Sequence, residues 1–181
     1  MNEMETADLE TDLSLFKYDH LEQLPPAYRT LDEAERSDRI AAAKAELGDD
    51  VVVLGHNYQR REIVEHADFV GDSYGLSKRA AEADAEYVIF AGVTFMAESA
   101  DIITDDDQTV LLPSMEASCP MAGMAETLQV DAAWAELTAV VGDDTGIVPV
   151  TYMNSYADLK AFCAEQGGLV CTSSNAHRAF E

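Results

Sequence analysis

The stretch VVVLGHNYQ, residues 51–59, places four polar side chains after an aliphatic run and a glycine. An aliphatic run of this kind is typical of a strand that is buried on both faces of a parallel sheet. The carboxyl ends of such strands are where α/β proteins bind their ligands. The stretch therefore predicts a buried strand that ends in a binding site, with His56 and Tyr58 as the groups suited to proton transfer.

Further strands and helices are predicted in alternation on both sides of this stretch. The predicted helices cover residues 33–47, 61–67, 73–83, 94–104, 156–168 and the start of another at 174–181, with helical turns at 118–128 and 131–137. The predicted strands cover residues 51–55, 68–71, 86–92, 109–113, 146–153 and 169–173. Because strands that alternate with helices form βαβ units, the sequence predicts an α/β fold of three-layer sandwich units with parallel sheets.

Three segments are expected along the chain. Residues 1–30 form an acidic arm, which ends where the paired prolines of LPPAYRT interrupt any helix. Residues 31–125 form a first α/β domain, and residues 126–181 form an incomplete second one. Because the last predicted elements are one strand and the start of one helix, we expect a fragment or a shortened relative of a longer protein.

One supersecondary unit is predicted to occur twice. Both VVVLGHNYQ…FVGDSYGLS and VPVTYMNS…LVCTSSNAH contain an apolar strand with a polar end, a short helix, a second strand and a serine at a predicted helix start. His56 precedes Ser73 by 17 positions, and Tyr152 precedes Ser173 by 21. This likeness predicts that the two segments fold as repeats of one unit.

The two predicted units indicate a binding site for a small polyanion. A serine that opens a helix offers its hydroxyl group, exposed backbone N–H groups and the positive end of the helix dipole. Two such helix starts that face each other would bind a dicarboxylate or a phosphate. A second interpretation stays open at this stage, in which Ser73 and Ser173 only cap helices and His56 only bonds to backbone groups.

The charge and the cysteine content exclude several classes of protein. The chain has 35 acidic against 11 basic residues, a formal net charge of -24, which argues against a nucleic-acid partner and favours a surface adapted to high salt. The N-terminal residues lack the basic and apolar segments of a signal peptide, and no apolar run is long enough to span a membrane. The three cysteines form no CxxC pair, so we expect a cytoplasmic protein with reduced thiols.

Six ordered motifs carry a resemblance to a known family. They are GHNYQ, ADFVGDSYGLS, YVIFAGVTFMAESADI, LLPSMEASCPMA, VTYMNS and CTSSNA. Together they resemble quinolinate synthase, the iron–sulfur enzyme of de novo NAD synthesis, from about residue 30 to the last residue.

The resemblance implies a fold and a reaction. Members of this family are built from three similar α/β domains around a pseudo-threefold axis, so the repeat would be the first domain and part of the second. They condense iminosuccinate (iminoaspartate) with dihydroxyacetone phosphate to quinolinate, and they release phosphate and water. A [4Fe-4S] cluster held by one cysteine from each domain supplies a Lewis acid, and L-aspartate oxidase or aspartate dehydrogenase would act upstream.

The resemblance also implies roles for residues of this sequence. His56 and Tyr58 match the family's pair at the end of the first strand, where they are expected to act in proton transfers. The residues that match substrate-binding positions are His56, Ser73, Tyr152, Asn154 and Ser173.

Cys119, within EASCPMA, matches the first cysteine ligand of the family's cluster. Cys163 falls within a predicted helix and Cys171 stands where relatives can have an apolar residue, so neither is expected to bind the metal. The family's second and third cysteine segments have no counterpart in this sequence, and we expect neither a stable cluster nor activity from this chain alone. The alternative is a non-catalytic module that binds a dicarboxylate or a phosphate, or a degenerate paralogue.

Overall fold

The computed structural model describes residues 26–142, 146–173 and 175–179. The chain divides after Ile40 into two units. Most of the predicted acidic arm, residues 1–25, lies outside the described residues. In the part of the chain that is described, no helix has the length and the apolar character needed to cross a membrane.

In the described residues of the first unit, from Pro26 onward, two helices begin: α1 (Pro26–Arg29) and α2 (Glu33–Leu47). Helix α1 begins at a proline that was expected only to interrupt helices; the first helical position suits proline because its missing N–H needs no partner there. Asp32 caps α2. Its Oδ1 accepts from the Glu35 backbone N–H at 2.9 Å, and its own N–H donates to Glu35 Oε2 at 3.2 Å. This reciprocal capping box fixes the start of α2.

The first sheet of the second unit has four parallel strands in the order β2-β1-β3-β4. Its elements, in chain order, are β1 (Val51–His56), α3 (Arg61–Val64), β2 (Phe69–Gly71), α4 (Ser73–Glu82), β3 (Tyr87–Ala91), α5 (Thr94–Ile103) and β4 (Thr109–Leu111). Strand β1 is central, with β2 on one side and β3 on the other. The prediction of an α/β fold with a parallel sheet is confirmed.

The core of this sheet is formed by β1, β3 and the helices α4 and α5. Leu54, Val88 and Phe90 of the strands are fully buried, and so are Leu76 and Phe95 of the helices. Each aliphatic or aromatic side chain of this kind contributes roughly 1.5–3 kcal/mol when it is removed from water. The aliphatic run that follows α2 is therefore buried as predicted, and its burial holds the polar end of β1 in place.

The second sheet has two parallel strands, β5 (Val150–Tyr152) and β6 (Leu169–Cys171). Helix α6 (Thr127–Val141) precedes it, α7 (Ala157–Glu165) connects its strands and α8 (Ala176–Ala179) follows it.

A small cluster of side chains packs α7 against α6. Leu159, Phe162 and Cys163 are its buried members, with Val130 and Trp134 packed against them. The Trp134 and Phe162 rings meet edge to face with their centroids 5.8 Å apart. This cluster has far fewer members than the core of the first sheet, so the second sheet gains less from burial.

The predicted strand at 146–153 is shorter than expected and covers only Val150–Tyr152. Gly146 has a positive φ of 71°, which strand residues do not adopt. Pro149 has no N–H to donate to a neighbouring strand. These two residues delay the start of β5.

The segment 118–128, predicted to form helical turns, is not helical except for its last two residues, which begin α6. Its earlier residues form separate tight turns, in which the Ala122 N–H donates to the Cys119 carbonyl oxygen at 3.0 Å. The helical turn predicted at 131–137 is instead the middle of the 15-residue helix α6.

Candidate functional site

The end of β1 and the start of α4 are joined by the pairing of β1 with β2. His56 is paired with Gly71, and the next N–H, that of Asn57, donates to the Gly71 carbonyl oxygen at 3.1 Å. Ser73 follows Gly71 by two positions. A Cβ atom at Gly55 would lie 2.9 Å from Ala67 Cβ, so only glycine allows this close approach beside the site.

The end of β5 repeats this arrangement. Tyr152 is paired with Cys171, and the next N–H, that of Met153, donates to the Cys171 carbonyl oxygen at 2.8 Å. Ser173 follows Cys171 by two positions. The predicted repeat is therefore confirmed at the level of strand register, with Tyr152 in the position of His56.

His56 and Tyr58 lie together at the end of β1. His56 is half-buried, whereas Tyr58 is 90% exposed, and the ring centroids are 4.7 Å apart. The Tyr58 backbone N–H donates to His56 Nδ1 at 3.3 Å, so the neutral ring carries its proton on Nε2. Burial lowers the pKa of His56, and the Asp72 carboxylate opposes this shift only in part. His56 is therefore neutral at pH 7 and presents an N–H donor.

Ser73 is the first residue of α4, but the residue that caps this helix is Asp72. The Asp72 carboxylate accepts from the Gly75 N–H at 2.8 Å. The interpretation in which Ser73 only caps a helix is therefore wrong, and its hydroxyl group is not needed for that task. Asp72 was not identified as the cap from the sequence, although an aspartate directly before a helix is a frequent cap. Its carboxylate also means that the start of α4 already carries a negative charge.

Tyr152 and Ser173 contact each other at the exposed end of the second sheet. The Tyr152 hydroxyl group and Ser173 Oγ are 2.7 Å apart. The turn after β5 is fixed by the buried Ser155, whose Oγ donates to the Tyr152 carbonyl oxygen at 2.8 Å. Asn175 Oδ1 accepts from the Thr172 N–H at 2.6 Å and holds the turn that follows β6. The hydroxyl group of Ser173 therefore contacts the Tyr152 hydroxyl group.

Cys119 and Asn154 lie next to each other although they are 35 positions apart. The Asn154 Nδ2 atom is 4.0 Å from Cys119 Sγ, and both residues are half-buried. The loop that carries Cys119 is tied to α5 by Thr94, whose N–H and Oγ1 both donate to the Ala117 carbonyl oxygen at 2.8 Å. Met153, the neighbour of Asn154, is buried in the core of the first sheet. A predicted metal ligand and a predicted substrate-binding amide are thus adjacent.

The three cysteines differ in their suitability as metal ligands. Cys163 is 4% exposed, and burial raises the pKa of its thiol, which disfavours the thiolate that binds metal. Cys171 lies on β6 and Cys119 in a loop, both half-buried. In the described part of the chain, no group of three or more His, Cys, Asp or Glu residues is placed to hold a metal ion. The Cys119 thiol fits one ligand position of a cluster, and the described residues do not complete the set.

The structure brings the predicted residues together only in part. The contacting pairs are His56 with Tyr58, Tyr152 with Ser173, and Cys119 with Asn154. Among the residues that the structure describes, no hydrogen bond joins the first of these pairs to the other two.

Lys160 is a second residue that the sequence did not reveal. Its Nζ donates to Ser99 Oγ at 2.7 Å, and burial lowers the pKa of this lysine to about 8. A signal was present, because Lys160 lies one helical turn before Cys163 and therefore on the buried side of α7.

Comparison with known proteins assigns the chain to a family. The profile of the family described as "Quinolinate synthetase A protein" matches residues 38–181. Proteins named quinolinate synthase are 82% identical over 98% of the chain in Haloarcula marismortui, 80% over 98% in Halobacterium salinarum, and 56% over 85% in Acidobacterium capsulatum. The chain spans about half the length of these curated relatives, namely 47%, 47% and 41%. By the profile match and these identities, the chain belongs to the Quinolinate synthetase A family.

Proposed function

We propose that this chain contributes one wall of a quinolinate synthase active site, in which iminosuccinate and dihydroxyacetone phosphate condense to quinolinate, phosphate and water. The observation that carries this proposal is the strand-end geometry, which occurs twice and presents imidazole, phenol and hydroxyl groups at equivalent positions. The whole reaction is proposed for a protein of the relatives' full length, of which this chain spans 47%. The enzyme would be a cytoplasmic transferase of NAD biosynthesis.

The hydroxyl groups at the strand ends would bind the anionic groups of the substrates. Tyr152 and Ser173 share one hydrogen bond, so one of their two O–H groups stays available to donate to a carboxylate or a phosphate. Ser73 offers a further hydroxyl group, because Asp72 caps its helix. Asn154 would add amide donors beside Cys119. Hydrogen bonds to charged groups are stronger than neutral ones, which suits these donors to a diacid.

His56 and Tyr58 would carry protons during the condensation. The neutral His56 ring holds a proton at Nε2 and would donate it to a substrate oxygen on which negative charge develops. The Tyr58 phenol is open to solvent and lies beside the imidazole, so it would serve as the second proton carrier.

Cys119 would be one thiolate ligand of a [4Fe-4S] cluster, with the remaining ligands supplied from outside the described residues. When bound, such a cluster supplies a Lewis-acidic iron with an open position. The Asn154 amide, 4.0 Å from the Cys119 sulfur, would then donate to a ligand sulfur and tune the centre.

Iminosuccinate would reach the site from an enzyme that oxidises aspartate, either L-aspartate oxidase or aspartate dehydrogenase. Water hydrolyses imines, so supply by a nearby enzyme is favoured.

A second candidate function is the binding of a dicarboxylate or a phosphate without catalysis. One observation favours it: the described part of the chain places no three metal-binding side chains together. In this reading the same hydroxyl groups bind the ligand and Cys119 has no metal.

Calorimetric titration with quinolinate in molar salt tests the binding wall. We expect quinolinate to bind more tightly than nicotinate, which has one carboxylate, and Ser173→Ala to weaken binding about tenfold, because a hydrogen bond to a charged group is lost. Thr138→Ala, which removes a hydroxyl group bonded to the Trp134 carbonyl oxygen within helix α6, should bind like the parent chain. Equal binding by the parent and the Ser173 variant would overturn the proposal.

Anaerobic reconstitution with iron and sulfide tests the assignment of Cys119. We expect no stable absorbance of the 4Fe type from this chain alone, because the described residues provide one suitable thiol. A stable centre that survives Cys119→Ala but is lost in Cys163→Ala or Cys171→Ala would contradict the assignment.

A further inference from the structure

Helix α7 is held on helix α5 by three interactions at one place. Glu98 Oε2 accepts from the Ala157 N–H at 3.1 Å, and Lys160 Nζ donates to Ser99 Oγ at 2.7 Å. Ser99 Oγ donates in turn to the Phe95 carbonyl oxygen at 2.6 Å, and Lys160 Nζ lies 5.4 Å from the centre of the Phe95 ring. Because residues three and four positions apart share one side of a helix, these groups form a single patch on each helix.

A lysine at position 160 is energetically unfavourable, because its charged amine is partly removed from water. It is half-buried, and burial lowers its pKa to about 8 despite the attraction of Glu98. It lines a mostly apolar cavity of about 720 Å³ with Ile102 and Ile103. An apolar side chain would fill this setting at equal or lower cost. Packing alone therefore does not explain a lysine here.

Helices α5 and α7 are each connected to one side of the contact between Cys119 and Asn154. Helix α5 begins at Thr94, which bonds to Ala117 in the loop that carries Cys119. Helix α7 begins at Ala157, three positions after Asn154. The position of α7 on α5 therefore sets the separation of Asn154 Nδ2 and Cys119 Sγ.

We propose that Lys160 is a positioning residue: through its hydrogen bond to Ser99 it fixes α7 on α5, and so keeps Asn154 against Cys119. The proposal rests on the proposed function for the chemical meaning of that contact. The geometry that it predicts is measurable without catalysis, metal or substrate.

Replacement of Lys160 by methionine in the whole chain tests this proposal. The readout is the rate at which iodoacetamide alkylates each cysteine, resolved by mass spectrometry of peptides from chain kept in molar salt. We expect the Cys119 rate to rise about tenfold, the factor that loss of one hydrogen bond to a charged group gives a local opening. Cys163 should stay protected, and resistance to denaturant should be unchanged or higher, because methionine suits the apolar cavity.

Two matched variants separate positioning from a general effect of a lost lysine. Lys160→Arg keeps a charged donor and should restore the Cys119 rate of the parent chain. Lys44→Met removes a lysine whose Nζ bonds are equally short, 2.6 Å to the His66 carbonyl oxygen and 2.7 Å to Asp68, but which does not join α5 to α7. It should leave the Cys119 rate unchanged.

Two results would overturn the proposal. One is a Cys119 rate in Lys160→Met that equals that of the parent chain. The other is acceleration of Cys119 and Cys163 together, which would indicate a merely structural role. If Lys160→Met does not fold, Ser99→Ala removes the acceptor instead and must also accelerate Cys119 alone. Failure of quinolinate binding would remove the proposed function without changing these rates, so the two failures are distinguishable.

Discussion

The two sheets of the second unit have the same register at their strand ends but unequal support. Strand β1 lies between two neighbours and is buried among fully enclosed side chains such as Phe90. Strand β5 is paired with β6, and the cluster beside it has Phe162 as its largest buried member. Met153, at the end of β5, is buried in the core of the first sheet instead. Similar strand ends are therefore held in place by different means.

The first sheet positions His56 through its own core. The second sheet positions Tyr152 and Asn154 through its packing against the first. The interactions of Glu98 and Lys160 between α5 and α7 are part of this support. A destabilising substitution in the core of the first sheet should therefore disturb the ends of both β1 and β5. One in the small cluster beside α7 should disturb only the end of β5.

The largest expected effect comes from Phe90→Ala compared with Phe162→Ala. Phe90→Ala should lower the free energy of unfolding by about 3–5 kcal/mol, because it leaves a cavity in the main core. Phe162→Ala should cost about 2 kcal/mol, since its cluster has few members and can collapse. Urea unfolding in molar salt, followed by circular dichroism and by the fluorescence of Trp134, measures both.

These two variants also show whether the sheets unfold in the expected order. Phe162→Ala should shift the Trp134 transition to lower urea while most of the dichroism transition stays in place. Equal losses in both variants, or a Phe90 variant with an unchanged Trp134 transition, would contradict this order of unfolding.

Much of the fold could be predicted from the sequence where the cause is local. Asp32 and Gly48 mark the two ends of α2, and the predicted and observed bounds agree at residues 33–47. The aliphatic run before His56 predicted a buried strand because burial on both faces requires such a run. The same reasoning found the repeat, since strand ends and helix starts are encoded by adjacent residues.

The rest depends on contacts between distant segments. Asn154 contacts Cys119 across 35 positions of sequence, and no local pattern indicates which distant segments will meet. Lys160 resembled a surface residue because its partner Ser99 lies 61 positions away. The strand at 146–153 was predicted too long because its apolar residues outweighed Pro149 and Gly146 in the pattern.

Salt should affect the second sheet before the first. With a net charge of -24, repulsion between carboxylates grows as screening falls, since the screening length rises from about 3 Å at 1 M salt to about 10 Å at 0.1 M. We expect a loss on the order of 2 kcal/mol in dilute buffer, because each like-charge pair costs a few tenths of a kcal/mol. Trp134 fluorescence should respond first, and stability that is the same in both buffers would contradict adaptation to high salt.

The pH dependence of stability should reveal the buried amine that supports the second sheet. Because the folded pKa of Lys160 is about 8, below its usual 10.5, the unfolded chain binds more protons between these values and this group adds stability as pH rises. Discounted for the solvent that reaches the amine, the gain is about 1 kcal/mol. The groups around it include Glu98, Asp158 and Tyr74.

Lys160→Met isolates this contribution. Between pH 7.5 and pH 10, the free energy of unfolding measured with urea should change more favourably for the parent chain than for the variant. The other titrating groups are common to both chains, so the difference between them reports Lys160. A difference of the opposite sign would contradict the burial of the amine.

The smallest expected effect on stability is that of Tyr152→Phe. It removes an exposed hydrogen bond to Ser173 and should cost about 0.5 kcal/mol, because water replaces the lost partner. Tyr58→Phe, at the equivalent exposed end of the first sheet, is the matched control and should cost less. A loss of several kcal/mol in the Tyr152 variant would mean that this pair holds the second sheet together.

A nuclear magnetic resonance titration with quinolinate tests whether the two strand ends bind one ligand together, as we expect. The backbone amide resonances of Ser73 and Ser173 should both shift, with one shared Kd. Movement of only one of them, or two different dissociation constants, would contradict the claim.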